Sequence, residues 1–128
     1  MLLNDFFIIN NLEISVSEIN AELEIICNHK IFEGHFPGHA VVPGVCMMQI
    51  IKEILENSLQ IKTNLINANE MKFLSIVAPE KNNKINATIK YSRNENDTIQ
   101  VVAMLFKNEL IHFKFKGQFS SVSKESHQ

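Results

Sequence analysis

The sequence predicts an α+β domain in which one antiparallel sheet curls around a single long helix. Two observations carry that expectation. Only one segment has helical character, and its first two turns are apolar on nearly every side, as in a helix wrapped by protein. The other apolar segments alternate with period two or run continuously for strand length, with short polar breaks between them.

Taken in order, Leu2 to Ile9 is an apolar opening that does not distinguish strand from helix, and Leu23 to Cys27 reads as strand. The helix is expected over Pro43 to Leu59, because a Pro-Gly opening suits a first helical turn; it would be about 25 Å long. Val45 to Ile51 is apolar except for Gln49, and Lys52, Glu56 and Asn57 collect in the second half, where the helix should emerge into solvent. Strands are expected over Ala68 to Val77, Ile85 to Tyr91, Ile99 to Phe106 and Ile111 to Lys116, with turns at Asn94 to Asp97 and Lys107 to Glu109. Residues 1–119 form the expected domain, and 120–128 a polar tail expected to be disordered. A curled open sheet leaves edges unpaired, and pairing with a second copy removes one, so a dimer is expected.

At 128 residues the chain is long enough for one domain, and 45% apolar with 20% charged residues is a globular composition. Twelve basic against 14 acidic residues give a formal charge of −2, which provides no field for nucleic acid. Two cysteines, Cys27 and Cys46, are too few for a disulfide scaffold or a four-thiolate zinc site. The opening residues lack the basic region of a signal peptide, and no apolar run approaches the roughly 20 residues that cross a bilayer. A soluble, cytoplasmic protein is expected.

The chemistry concentrates in His29 to Val45. Three glycines and two prolines between Gly34 and Val45 cannot continue a helix or a central strand, and they bring His35 toward the helix N-terminus. There the amides of Gly44 and Val45 face outward at the positive end of the helix dipole, suited to an oxygen that gains negative charge. A histidine beside them titrates near neutral pH and can accept a proton. A base with an oxyanion donor is the minimal kit for removing a proton alpha to a thioester.

Gly34-His35-Phe36-Pro37-Gly38 followed by Val41-Val42-Pro43-Gly44-Val45 resembles the β-hydroxyacyl-acyl-carrier-protein dehydratases, which have the hotdog fold. The direct similarity spans about residues 28–55. The resemblance implies that His35 is the base at the substrate α carbon, that the Gly44 amide holds the thioester oxygen, and that the Val41 carbonyl orients the imidazole. It implies a homodimer or a higher assembly of dimers, with His35 of one protomer facing the helix of the other. It also implies substrates on the phosphopantetheine arm of acyl carrier protein, and no metal or dissociable cofactor. Val45 and Gly38 fall within the same motif and count with the substrate-binding residues.

One position departs from the family. Its carboxylate, six residues after the proline of P-G-V, is here Gln49, and the glutamine usual four residues later is Glu53. Residues four apart share a helix face. An amide cannot protonate a leaving hydroxide, and loss of a general acid costs about 10²–10⁴ in rate. Four outcomes fit. Glu53 supplies the acid from one turn further along; Gln49 holds the β-hydroxyl while His35 returns the proton; a related subunit in a heterodimer brings a carboxylate; or the chain has become a thioesterase or a non-catalytic acyl-binding subunit.

Other residues have plainer readings. Phe32 and Phe36 either wall the acyl site or pack in the core. His29 and His39 are expected at the surface or the pocket rim, and with Glu33 and His35 they lack metal-site spacing. His112 is expected on the polar side of its strand, and Cys46 in the core. Gln49 either faces a site or bonds across a dimer, and Glu53 is either an acid or a solvated residue of the emerging helix. Met47, Met48, Met71 and Met104 either line a tunnel or fill the core. Lys30, Lys62, Lys72, Lys114 and Lys116 are scattered candidates for docking an acidic carrier.

Overall fold

The computed structural model describes residues 1–26, 29, 41–78 and 83–122. Six strands and one helix follow the chain as β1 (Phe7–Ile14), β2 (Glu18–Ile25), α1 (Gly44–Leu59), β3 (Lys62–Phe73), β4 (Lys84–Arg93), β5 (Thr98–Lys107) and β6 (Leu110–Val122). The sheet order is β1-β2-β4-β5-β6-β3, and every neighbouring pair is antiparallel. This is the hotdog arrangement, and no helix among the described residues is long and apolar enough to cross a membrane.

Period-two alternation directs one face of β2, β4, β5 and β6 at the helix. Ile19, Leu23 and Ile25 of β2, Ile85 and Ile89 of β4, Ile99 and Leu105 of β5, and Phe113, Phe115 and Phe119 of β6 are buried. Against them α1 turns Cys46, Met47, Ile50, Ile51, Ile54 and Leu55. The helix is not fully wrapped within one chain, as its composition suggested. Val45 is 78% exposed, and with the half-buried Met48, Gln49 and Lys52 it leaves a stripe along one side only partly covered.

Its far end is tied down locally. Gln60 adopts a left-handed conformation at the C-cap, its side chain donating to the Asn57 carbonyl. The Glu56 carboxylate accepts from the Thr63 amide and hydroxyl at 2.7 and 3.0 Å and pairs with Lys52. Asp97 and Asn108, both at positive φ, turn the chain where the polar breaks predicted it.

Several boundaries differ from expectation. β1 begins at Phe7, and Leu2 to Phe6 form a turn instead of strand. β2 starts at Glu18, earlier than the apolar run suggested. β3 lies over Lys62–Phe73 and not Ala68 to Val77. Its asparagines are poor strand formers, and it is held by pairing with β6 through two register shifts. Ser120 to Val122 continue β6 opposite Lys62 to Asn64, so the sheet extends past residue 119, and 123–128 lie outside the described residues.

Candidate active site at the helix N-terminus

Pro43 gives α1 no side-chain cap, and its carbonyl takes the amides of Cys46 and Met47. The Gly44 and Val45 amides find no acceptor among the described residues. They are the orphan donors of a helix start, and the dipole adds positive potential there. Val41 and Val42 lead in, with the Val42 amide bonded to the Val77 carbonyl at 2.8 Å. A cleft of about 440 Å³ opens here, running from Val41 to Gly44 past Met47 to a wall of Phe73, Leu74, Ser75 and Ile76.

The wall is fixed from β6. Phe73 stacks on Phe113 with centroids 4.9 Å apart, and a Cβ on Gly44 would lie 2.9 Å from the Phe73 ring, so glycine lets the ring approach the helix start. The Leu74 amide donates to the His112 carbonyl at 2.9 Å. The Ser75 hydroxyl lies 2.9 Å from the Ile111 carbonyl and 2.8 Å from His112 Nδ1. His112 is therefore buried, not on the polar face expected of it. A register shift between Leu105 and Phe106 breaks the alternation, so that His112 and Phe113 are both covered. Burial pushes the His112 pKa down and Lys107 adds to this, while main-chain bonds to Ser75 and Ile76 oppose them.

Gln49 and Glu53 of α1 do not line this cleft. Glu53 is 1% exposed, which rules out the solvated reading. Its carboxylate accepts the Leu2 amide at 3.0 and 2.8 Å on its two oxygens, the Leu3 amide at 2.7 Å and Gln49 Nε2 at 2.8 Å. Two consecutive backbone amides around an anion make a nest, and the carboxylate anchors the N-terminal turn to the helix. Gln49 thus spends one amide hydrogen on Glu53 and rides at the margin of the open stripe.

Cys46 is buried and its thiol pKa is raised by burial, which keeps it protonated and unreactive. His29 lies 3.1 Å from Asp5 and edge-on to Phe6 at 5.4 Å, packed against the N-terminal turn. Among the described residues no cluster of three or more metal-ligating side chains occurs. His35, Phe32, Phe36 and Gly38, with Lys30, Glu33 and His39, lie outside the described residues. The sequence reading missed the wall of Phe73 to Ile76. A signal existed in Phe73-Leu74 and Ile76-Val77, a cluster without the alternation of the other strands.

Known proteins resemble this chain in sequence and shape. Residues 11–109 match the ApeI-like family, described as ApeI dehydratase. The 3-hydroxyacyl-[acyl-carrier-protein] dehydratase FabZ of Lactobacillus helveticus is 28% identical over 101 residues, covering 69% of this chain and 68% of the relative. The dehydratase heterocomplex ApeI:P of Xenorhabdus doucetiae superposes with a TM-score of 0.70 at 18% identity, over 88% of this chain and 96% of that one. Thioesterase HI1161 of Haemophilus influenzae does so at 0.64 and 14% identity, over 98% of this chain and 85% of the other.

Proposed function

The chain belongs to the ApeI-like dehydratase family, and on that premise we propose that it dehydrates β-hydroxyacyl thioesters carried on acyl carrier protein. The observation that carries this reading is the cleft at the uncapped start of α1, where an apolar wall stands beside Gly44, whose amide has no acceptor among the described residues. An acyl chain would lie along Met47, Phe73 and Leu74. Its thioester oxygen would take the Gly44 amide, and a donor of this kind is worth about 10²–10³ in rate. His35, nine residues upstream, would remove the α proton. The β carbon–oxygen bond then breaks, the oxygen takes a proton, and water and an enoyl thioester leave. The substrate brings its own phosphopantetheine arm, and no step calls on a metal or a dissociable cofactor.

The leaving oxygen needs that proton from somewhere. Glu53 is poorly placed to give it, since four hydrogen bonds hold its carboxylate to the N-terminal turn and to Gln49. Gln49 lies beside the partly open stripe that starts at Val45, on a side of α1 where a second chain could meet it. This favours a site completed across two chains. The partner is a second copy, or a related subunit that brings a carboxylate, as the ApeI:P heterocomplex makes concrete for a protein of this shape.

The test offers a β-hydroxyacyl acyl-carrier-protein substrate and follows enone formation and thiol release together. Enone without thiol is the expected result, and His35→Ala should abolish it. Thiol without enone would replace this reading with a thioesterase. Neither product would leave a binding subunit, active only beside a partner.

A further inference from the structure

The outer face of the sheet gathers lysines that are scattered in sequence. Lys72 of β3 stands directly opposite Lys114 of β6, with Lys116 opposite Glu70 two residues along. On the next strand Met104 pairs with Lys114 and Val102 with Lys116, and Lys90 of β4 flanks Val102 from the other side. All these side chains point away from the helix, since their strand neighbours Phe113, Phe115, Ala103 and Leu105 are buried beneath. Lys90 and Lys116 are exposed, and Val102 is 50% exposed. A groove of about 200 Å³ runs between them, lined by Lys90, Val102, Met104 and Lys114 with Glu70 and Thr88.

Two features mark this patch as more than a solvated face. Like charges directly opposite on adjacent strands are unfavourable, yet Lys72 and Lys114 are so placed. Among the described residues Lys72 pairs with Glu70 alone, at 4.0 Å, and Lys90, Lys114 and Lys116 form no ion pair. The same face is also polarised. Following the register from Lys72 and Lys114 through Met104, Thr88 and Asn20 leads to Glu13 on β1, with Glu18, Glu22 and Glu24 along β2; Glu18 and Glu24 stand opposite Lys90 and Lys84 of β4, while Glu13 and Glu22 have no lysine opposite them. An acidic partner is drawn to one end and repelled from the other, which fixes its orientation as well as its position.

The geometry points to a docking surface for an acidic protein, centred on Lys72, Lys114 and Lys116 around the exposed Val102 and the half-buried Met104. The patch lies at the cleft end of the sheet: Lys72 precedes Phe73 and Lys114 follows Phe113, the two stacked rings of the wall. Resting on the function proposed above, the occupant is the carrier protein that delivers the acyl thioester.

The experiment uses labelled holo acyl carrier protein as the probe for binding, and a β-hydroxyacyl N-acetylcysteamine thioester for turnover without a carrier. Lys114→Glu with Lys116→Glu should weaken carrier binding at least about tenfold and leave small-thioester turnover unchanged. Binding by the unaltered chain should fall as salt rises. Lys72→Glu should weaken binding while leaving the thermal midpoint the same or higher, because it turns an opposed like-charge pair into an attractive one. Glu13→Lys, at the acidic edge, should not weaken it. Carrier binding unmoved by the reversals would overturn the proposal. So would a change of oligomeric state in their place, which would make the occupant a second copy, or equal displacement of the carrier by duplex DNA. If neither this small thioester nor the β-hydroxyacyl carrier-protein substrate is turned over but the reversals abolish carrier binding, the dehydratase reading fails and the docking surface stands. If both are turned over and the reversals change nothing, the surface fails alone.

Discussion

Glu53→Ala would leave the half-buried amides of Leu2 and Leu3 and the Gln49 side chain without their common acceptor. Hydrogen bonds to a charged group are worth more than neutral ones, so the loss should be about 2–3 kcal/mol, read from denaturant unfolding. Turnover at saturating substrate by the fraction that stays folded should not fall by the 10²–10⁴ expected of a lost acid. Gln49→Glu sets a second carboxylate 2.8 Å from the first. One of the two must then hold a proton, so its folded pKa rises above the unfolded value of about 4.3. That variant should match the parent at low pH and lose stability as pH rises through the raised pKa. His112 has the opposite sign. Burial lowers its folded pKa below about 6.5, so the unfolded chain binds the proton better, and stability should fall as pH drops through that range. His112→Gln should flatten this slope in thermal melts between about pH 5 and 7. The sequence named Gln49 and Glu53 as a coupled pair, because four-residue spacing dictates a shared helix face. It did not show that Glu53 is spent on the chain's own N-terminus, since that contact joins residues some 50 positions apart. Burial of His112 was equally hidden, because a register shift has no compositional mark.

At the scale of elements, two glycines contrast. A Cβ on Gly117 would strike the Asn67 carbonyl oxygen and come within 2.7 Å of the Phe115 ring, where β6 passes the shifted register of β3. Backbone cannot yield as a side chain can, so Gly117→Ala should cost about 2–3 kcal/mol in urea unfolding. Gly44 meets only the half-exposed ring of Phe73, which can swing outward. Gly44→Ala should therefore cost less than about 1 kcal/mol in stability. It should nevertheless raise KM for the acyl substrate, since the displaced ring is the wall of the cleft. The helix and the last three strands, β4 to β6, were legible because apolar period and turn residues agree there. β3 was misplaced because its pattern is polar and its position comes from pairing with β6. The cleft wall was read as strand for the same reason: Leu74 to Ile76 are apolar enough for the sheet, but leave it to bond His112 and Ile111.

For the whole molecule, β3 is an uncovered edge of 12 residues, with Leu65, Ile66, Met71 and Phe73 between 39% and 52% exposed. The apolar surface continues past its end through Leu74 and Ile76, 52% and 68% exposed, and the helix stripe at Val45 is open too. An edge this long and apolar invites another strand, so the protein should sediment as a dimer or pair with a related subunit. Ile66→Lys with Met71→Lys should yield a monomer with little change in its own unfolding, since both side chains are exposed already. If each site takes His35 from one chain and the α1 face from the other, that monomer should be inactive even though no catalytic group has changed. A mixing experiment separates this from a site held within one chain. His35→Ala and Gln49→Ala, each inactive alone, should regain up to about a quarter of the parental rate when denatured together and refolded, because half of the random dimers carry one intact site of two. A single-chain site predicts no recovery, since every chain in the mixture would remain defective.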